Sequence, residues 1–343
     1  MDVPTKVLVI GGSVFLGRAV VAEALAAGAE VTVFNRGKSG PSPDGVRQLT
    51  GDRTVAADLE QLRGEGFDLV IDTCGYVPAD VGRGAQRLAD SCGHYVFVSS
   101  INALPGWPED LDYHDRGEHD GSPEATRADV PESLDASEAY GWLKVGCERA
   151  VARAFGDEHT SVLRAGLIVG PHDSAVGRLP WWLHRVAQGG EVLVPGSPDA
   201  PVAMIDARDL ARFALRAVPG VFETPGPSGR DTRADLMAGC AAVTGADATF
   251  TYVGDEDWLM AQDVAPWTEI PLWGPAKQMP STFVHDTAAA EAAGLCWRPM
   301  QETLADVWAW QQQVAGGWHP TAAAPGLAPE RERELLAAWR ARI

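Results

Sequence analysis

Short apolar runs recur through the first half of the chain, and amphipathic stretches separate them. Runs rich in Val and Ile at 6–10, 30–35, 68–73 and 94–100 predict strands, and a further strand fits 160–169. Between them, 15–28, 79–92 and 138–156 carry the spacing of helices that bury one face. Strands alternating with helices over short links predict an α/β fold: a doubly wound parallel sheet covered on both faces.

The rhythm breaks twice. Residues 101–137, which include PGWPEDLDYHDRGEHDGSPE, are rich in Pro, Gly and acid and read as a long surface loop after a strand. After Gly170-Pro171 the pattern turns mixed, with Trp181 and Trp182 adjacent, a strand over 201–206 and a helix over 207–217. Prolines and tryptophans crowd 258–275, and 327–343 reads as a capped terminal helix. This division predicts a main domain over 1–170, joined by returning segments around 201–222, and a smaller C-terminal lobe with terminal helices over most of 171–343.

Composition narrows the function. A chain of 343 residues, 45% hydrophobic and 22% charged, can bury a substantial core. Its net charge of −19, with no Lys/Arg cluster, argues against nucleic acid as a partner, because gripping a phosphate backbone needs basic surface. No apolar run approaches the roughly 18–20 residues of a membrane span, so no membrane partner is expected. The N-terminus enters a strand without a leader pattern. The five cysteines (Cys74, Cys92, Cys147, Cys240, Cys296) are scattered and lack CxxC spacing. A reduced, cytoplasmic protein with neither disulfides nor a metal site is therefore expected. His94, His114 and His119 read as solvated, and the carboxylates of 101–137 follow no coordination template. A small-molecule substrate, handled by a monomer or homodimer, is the expected partner.

The chemistry begins at 6-KVLVIGGSVFLGRAV-20, where a strand breaks into glycines and resumes as a helix. Gly11 permits a tight turn and Gly17 lets the helix pack close, leaving the free N–H groups of the helix start for a pyrophosphate. Ser13, Val14, Phe15 and Leu16 fill that turn, with Val14 where a middle glycine is usual. The second strand ends at Asn35 and Arg36, with Lys38 just beyond. An acid that would hold a ribose 2′-hydroxyl is missing and cations are present, which favours NADP(H) and leaves NAD(H) open. Asp52 follows the expected third strand, facing the adenine, and Thr73, Cys74 and Gly75 end the fourth at the sheet edge where cofactors lie.

In 140-YGWLK-144, Tyr140 and Lys144 lie four apart on one helical face. A nearby ammonium favours the phenolate, so Lys144 is expected to lower the Tyr140 pKa and make it a proton carrier. The preceding strand ends in Ser99-Ser100. On 11-GGSVFLG-17, 97-FVSS-100, 140-YGWLK-144, 164-RAGLIVGP-171 and 205-IDARDLA-211, the whole chain resembles an atypical or extended short-chain dehydrogenase/reductase of the NAD-dependent epimerase/dehydratase type. The resemblance implies a Rossmann domain with a small substrate lobe. It implies Tyr140 as catalytic acid/base, Lys144 on the nicotinamide ribose, and Ser100 polarising a carbonyl, with Ser99 as a cofactor contact and the alternative hydroxyl. Ala165, Gly166 and Leu167 would line the nicotinamide. The sequence departs from the pattern at Val14 and again after Ser100, at Ile101 and Asn102, which would reshape the pocket floor.

Trp181, Trp182 and Arg185, with Trp267 and Trp273 in 266-PWTEIPLW-273, read either as core or as an apolar wall for a flat substrate. Three functions follow. The first is an NADPH-dependent ketoreductase acting on a bulky, aromatic or polycyclic molecule. The second is a nucleotide-sugar epimerase or dehydratase with bound NAD, for which Arg178, Arg185 and Lys277 are the available cations. The third is a cofactor-binding sensor or scaffold without turnover.

Overall fold

The computed structural model describes residues 5–39 and 42–342. Seven strands form one parallel sheet: β1 (Lys6–Ile10), β2 (Glu30–Asn35), β3 (Arg47–Thr50), β4 (Phe67–Asp72), β5 (Cys92–Ser100), β6 (Thr160–Ala165) and, from much later in the chain, Gly220–Thr224. Their spatial order is β3-β2-β1-β4-β5-β6 followed by 220–224, so the sequence reverses direction beside β1. In doubly wound sheets, that switch point is where ligands bind. The register is close: Val7, Val9 and Ile10 face Val31, Val33 and Phe34 on one side, and Leu69, Ile71 and Asp72 on the other. The near-continuous Val/Ile runs follow from burial on both faces.

Helices α1 (Phe15–Ala26), α2 (Ala56–Leu59), α3 (Pro78–Leu88) and α4 (Ala136–Phe155) connect these strands. Two apolar clusters result, one around Val7, Leu16, Val20 and Leu163, the other around Leu8, Val70, Val81 and Cys147. α4 starts on a reciprocal cap: Asp135 accepts from Ser137 and Glu138 while Glu138 reaches back to Asp135.

The strand expected over 160–169 is two pieces, β6 and the two-residue β7 (Ile168–Val169). Gly166 divides them, and a Cβ there would stand 2.8 Å from Pro225. α5 (Arg178–Ala187) and β8 (Gly190–Pro195) follow, packed in an apolar cluster of their own around Trp182, Leu193 and Met237. The strand expected over 201–206 is likewise two pieces. β9 (Pro201–Val202) pairs antiparallel with 231–232, and β10 (Ile205–Asp206) pairs parallel with β7. Helix α6 (Ala207–Ala214) returns to pack on α1 and leads into β11 (Gly220–Thr224), the last strand of the main sheet. β12 (Asp231–Thr232), α7 (Arg233–Thr244) and β13 (Ala248–Val253) follow; β12 is the partner of β9, and β13 pairs parallel with β8 in a separate two-stranded sheet. Helices α8 (Glu256–Ala261), α9 (Ala288–Ala292), α10 (Met300–Gln313) and α11 (Pro329–Arg340) follow. Ile343, the last residue of the expected terminal helix, lies outside the described residues.

The 101–137 segment holds three short 3-10 turns, Ile101–Ala103, Tyr113–Arg116 and Arg127–Asp129. It is tied to the lobe: the Tyr113 hydroxyl donates to Val284 O at 3.2 Å, Trp107 Nε1 to Ser281 O at 3.2 Å, and Ser281 N to Pro108 O at 3.1 Å. Among the described residues no helix is long and apolar enough to cross a membrane.

Candidate active site

After β1 the chain turns through Gly11 (φ +110°) and Gly12 (φ +82°), backbone that glycine alone adopts cheaply. A Cβ on Gly17 would stand 2.6 Å from the Gly12 nitrogen, so this glycine lets α1 settle on the turn. The neighbouring strand end braces it: Thr73 Oγ1 and Cys74 Sγ donate to Ile10 O at 3.1 and 3.5 Å, and Asn35 Nδ2 donates to Gly11 O at 2.9 Å. Among the described residues, no hydrogen bond engages the backbone N–H groups of Ser13, Val14, Phe15 or Leu16, and α1 has no side-chain cap. Free donors at a helix start, with its positive dipole end, suit a pyrophosphate, so these residues fit a dinucleotide. The Val14 side chain is 43% exposed and leaves those donors clear. The Leu16 side chain is core, so only its N–H is available.

At the other end of this groove, Asn35 accepts from Gly37 N at 2.8 Å. Arg36 and Lys38 are exposed, and both lie near Asp52. Hydrogen bonds from Thr54 hold the Asp52 carboxyl below its usual range, and the two cations add to this. Asp52 Oδ1 is thus turned toward Thr54 N and Oγ1, at 3.0 and 2.8 Å. Beneath lies a group the sequence did not single out. Arg53 forks onto buried Asp72 at 3.0 and 2.7 Å, and the Tyr95 hydroxyl donates to the same carboxylate at 2.9 Å.

β5 delivers Ser100 to the sheet edge and α4 delivers Tyr140 and Lys144 beside it. Gly141 makes the approach close, since a Cβ there would stand 1.8 Å from Asn102 O. Ser100 Oγ donates to Asn102 Oδ1 at 2.9 Å, and Asn102 Nδ2 donates to Ser137 Oγ at 2.7 Å. Ser137, three residues before Tyr140 on the same helix, escaped the sequence reading. Tyr140 is 36% exposed. Burial raises its phenol above the ordinary value, with the Ser100 hydroxyl pulling the other way. That corrects the expectation of a phenol lowered by Lys144. The lysine is buried, and its Nζ donates to Gly75 O at 2.9 Å and Val98 O at 2.7 Å, over the Phe97 ring at 4.4 Å. Burial pushes this ammonium down, and its charge is spent on carbonyls rather than on the phenol. One N–H of its three remains for the groove.

Alternation along β5 separates the two serines. Ser99, considered for both cofactor and substrate, is buried and donates to Glu148, whose carboxylate Arg164 grips at 3.1 and 2.6 Å. Ala165 and Leu167 are buried beside half-buried Gly166, and Leu167 O accepts from Ile205 N at 3.0 Å. Ile101 is not pocket floor: it packs with Leu104 and Tyr113 in a small core. The proposed aromatic wall is also mostly core. Trp181, Trp182 and Trp273 are buried, with Trp182 Nε1 on Pro271 O at 2.6 Å and Trp273 Nε1 on Glu256 at 2.8 Å. Trp267 is half-buried, its Nε1 on Met279 Sδ at 3.3 Å. Arg185 binds Glu332 of α11 at 2.6 Å, and Lys277 pairs with Asp257 at 2.8 Å on the surface. His94 is not solvated: it is buried with Nε2 2.7 Å from Ser161 Oγ, and burial lowers it to about 4.

Solved structures with this architecture include an epimerase from Methanothermobacter thermautotrophicus, 14% identical with a TM-score of 0.63 over 92% of this chain and 94% of that one. UDP-glucose 4-epimerase of Thermotoga maritima, solved with UDP-glucose, is 18% identical with a TM-score of 0.62 over 90% and 99%. The Thermus thermophilus UDP-glucose 4-epimerase, solved with NAD, is 19% identical with a TM-score of 0.58 over 90% and 99%. Among curated proteins, none matches this sequence. Residues 7–227 match the model of the NAD dependent epimerase/dehydratase family, and the chain belongs to that family of NAD(P)-dependent enzymes.

Proposed function

We propose that this enzyme reduces a carbonyl on a small molecule, using NADP(H) in preference to NAD(H), with Tyr140 giving the proton. The carrying observation is the placing of Tyr140 beside Ser100 at the end of β5, with Lys144 of the same helix held at Gly75 O and Val98 O. The raised pKa keeps the phenol protonated at neutral pH, the form that can give a proton, and makes it a weaker acid than an ordinary tyrosine. The cofactor, when bound, supplies the hydride. The glycine turn would hold its pyrophosphate, and Lys144, with the exposed Tyr76 ring 5.5 Å from its Nζ, would take the ribose end. Ser100, by turning its one proton away from Asn102 Oδ1, would donate to the substrate oxygen as it gains charge. The core positions of Trp181, Trp182 and Trp273 remove the support for a specifically aromatic substrate.

The pH dependence has a defined sign. Tyr140 acts while protonated, so activity persists below its raised pKa and is lost as pH climbs through it. The reductive rate should stay level from about pH 6 to about 9 and fall only beyond about 10. A fall centred near neutrality would assign the proton to another group.

For the cofactor, Arg36 and Lys38 carry the preference. Replacing both with Ser should weaken NADPH about 10- to 100-fold and leave NADH unchanged, as measured by fluorescence titration. Equal losses for both cofactors would end the NADP(H) assignment. A second reading, an epimerase or dehydratase that regenerates its own NAD, is supported by family membership. Denaturing freshly purified protein and identifying the released nucleotide separates the two. Retained NAD+ would overturn the reductase; an empty site that takes up NADPH supports it.

A further inference from the structure

The Ser100 hydroxyl has one proton to give, and that proton is already engaged. It goes to Asn102 Oδ1 at 2.9 Å, while Asn102 Nδ2 donates to Ser137 Oγ at 2.7 Å. Asn102 N also donates to Ser100 Oγ at 3.3 Å, which caps the 3-10 turn after β5. One lone pair of Ser100 is left, and its hydrogen-bonding neighbour is the Tyr140 phenol. In this arrangement Ser100 can only accept from Tyr140. An oxygen gaining charge at the same place needs the opposite, a donor.

The Asn102 amide has a second way to serve both serines. Turned end for end, Nδ2 donates to Ser100 Oγ and Oδ1 accepts from the Ser137 hydroxyl, because a hydroxyl works on either side of a hydrogen bond. Two bonds break and two form. The distances suit the turned amide well, since 2.9 Å is ordinary for N–H···O and 2.7 Å for O–H···O. The rotation itself meets little resistance, because the last torsion of Asn is broad and roughly two-fold. The backbone beneath is held still. A Cβ on Gly141 would stand 1.8 Å from Asn102 O, so α4 presses on that carbonyl, and His119 N donates to Ala103 O at 3.1 Å.

We propose that Asn102 is a positioning residue for Ser100: by turning its amide it sets whether the Ser100 proton is held at Asn102 or offered to the oxygen beside Tyr140, with no hydrogen bond lost either way. An aspartate in its place could only accept, and would hold the protons of Ser100 and Ser137 together. The inference rests on the reading of Ser100 and Tyr140 as the reacting end.

The Tyr140 phenol reports the Ser100 proton without cofactor or substrate, because a hydroxyl that donates to a phenolate favours it. Its ionisation is read by absorbance on rapid mixing into alkaline buffer, each variant set against the same variant carrying Tyr140→Phe. Tyr76, Lys144 and the Cys147 thiol, and His119 against Gly141, are the ionisable neighbours, and every variant keeps them. Asn102→Asp should move the midpoint up by about one pH unit or more, and adding Ser100→Ala should remove at least half of that rise. Asn102→Ala should leave the midpoint within about 0.3 of the parent, because the parent amide already turns to release the proton. A clear fall in Asn102→Ala would mean a fixed amide, and a rise in Asn102→Asp undiminished by Ser100→Ala would mean charge alone. Either overturns the proposal. In NADPH-dependent reduction of phenanthrenequinone, Asn102→Asp should lower kcat about tenfold or more at unchanged KM for NADPH, and an unchanged kcat would also overturn it. A parent that reduces no carbonyl yet titrates as described refutes the reductase and leaves the positioning role standing.

Discussion

Replacing Tyr140 with Phe should lower turnover of a carbonyl substrate by about 10²- to 10⁴-fold while leaving NADPH affinity unchanged. Only the hydroxyl is lost. The ring keeps its place on α4, and Lys144 keeps its two carbonyl partners, since neither touches the phenol oxygen. The measurement pairs steady-state kcat with a cofactor titration on the same preparation. A fall of less than about fivefold would remove Tyr140 from the proton path and direct attention to Ser100 and its Asn102–Ser137 chain. Loss of cofactor binding alongside turnover would instead mean that the hydroxyl positions the nucleotide.

The largest stability effect should come from Arg164→Ala. Ser99 on β5, Glu148 on α4 and Arg164 on β6 meet in one buried group, and Glu118 of the 101–137 segment adds a contact to Arg164 at 2.5 Å. Removing the arginine strands a carboxylate away from water, at a cost of about 3–5 kcal/mol. Urea unfolding followed by tryptophan fluorescence would read this as an earlier midpoint at unchanged slope. A loss below about 1 kcal/mol would mean that water reaches Glu148 freely. The double variant Arg164→Met with Glu148→Met should recover much of the loss, because neither charge then remains.

What was legible in the sequence was the part set by local pattern. The Val/Ile runs of β1, β2 and β4 announce strands buried on both faces, and the glycine spacing announces the turn after β1. The family resemblance, too, stood on those motifs. What stayed hidden depends on partners distant in the chain. Ser99 and Ser100 are chemically alike, and only the placement of Glu148 decides which faces inward. Trp181 and Trp182 read equally as wall or core until the lobe closes around them. Lys144 was expected to act on Tyr140 because helical spacing puts the two on one face, but spacing does not reveal the carbonyls of Gly75 and Val98, which take its charge first. The breaks within 160–169 and 201–206 come from close approach at Gly166 and from strands too short to carry a pattern.

The bonds that join Trp107, Pro108 and Tyr113 to the 281–284 stretch bear on molecular traffic. A segment so anchored, and gripped again at Glu118 by Arg164 and Arg149, is a fixed wall rather than a door. The solvent-facing residues lie elsewhere: Tyr76, Val14 and Tyr140 stand open to solvent, so it is around the glycine turn and the head of α4, not at the anchored segment, that the surface offers exposed side chains.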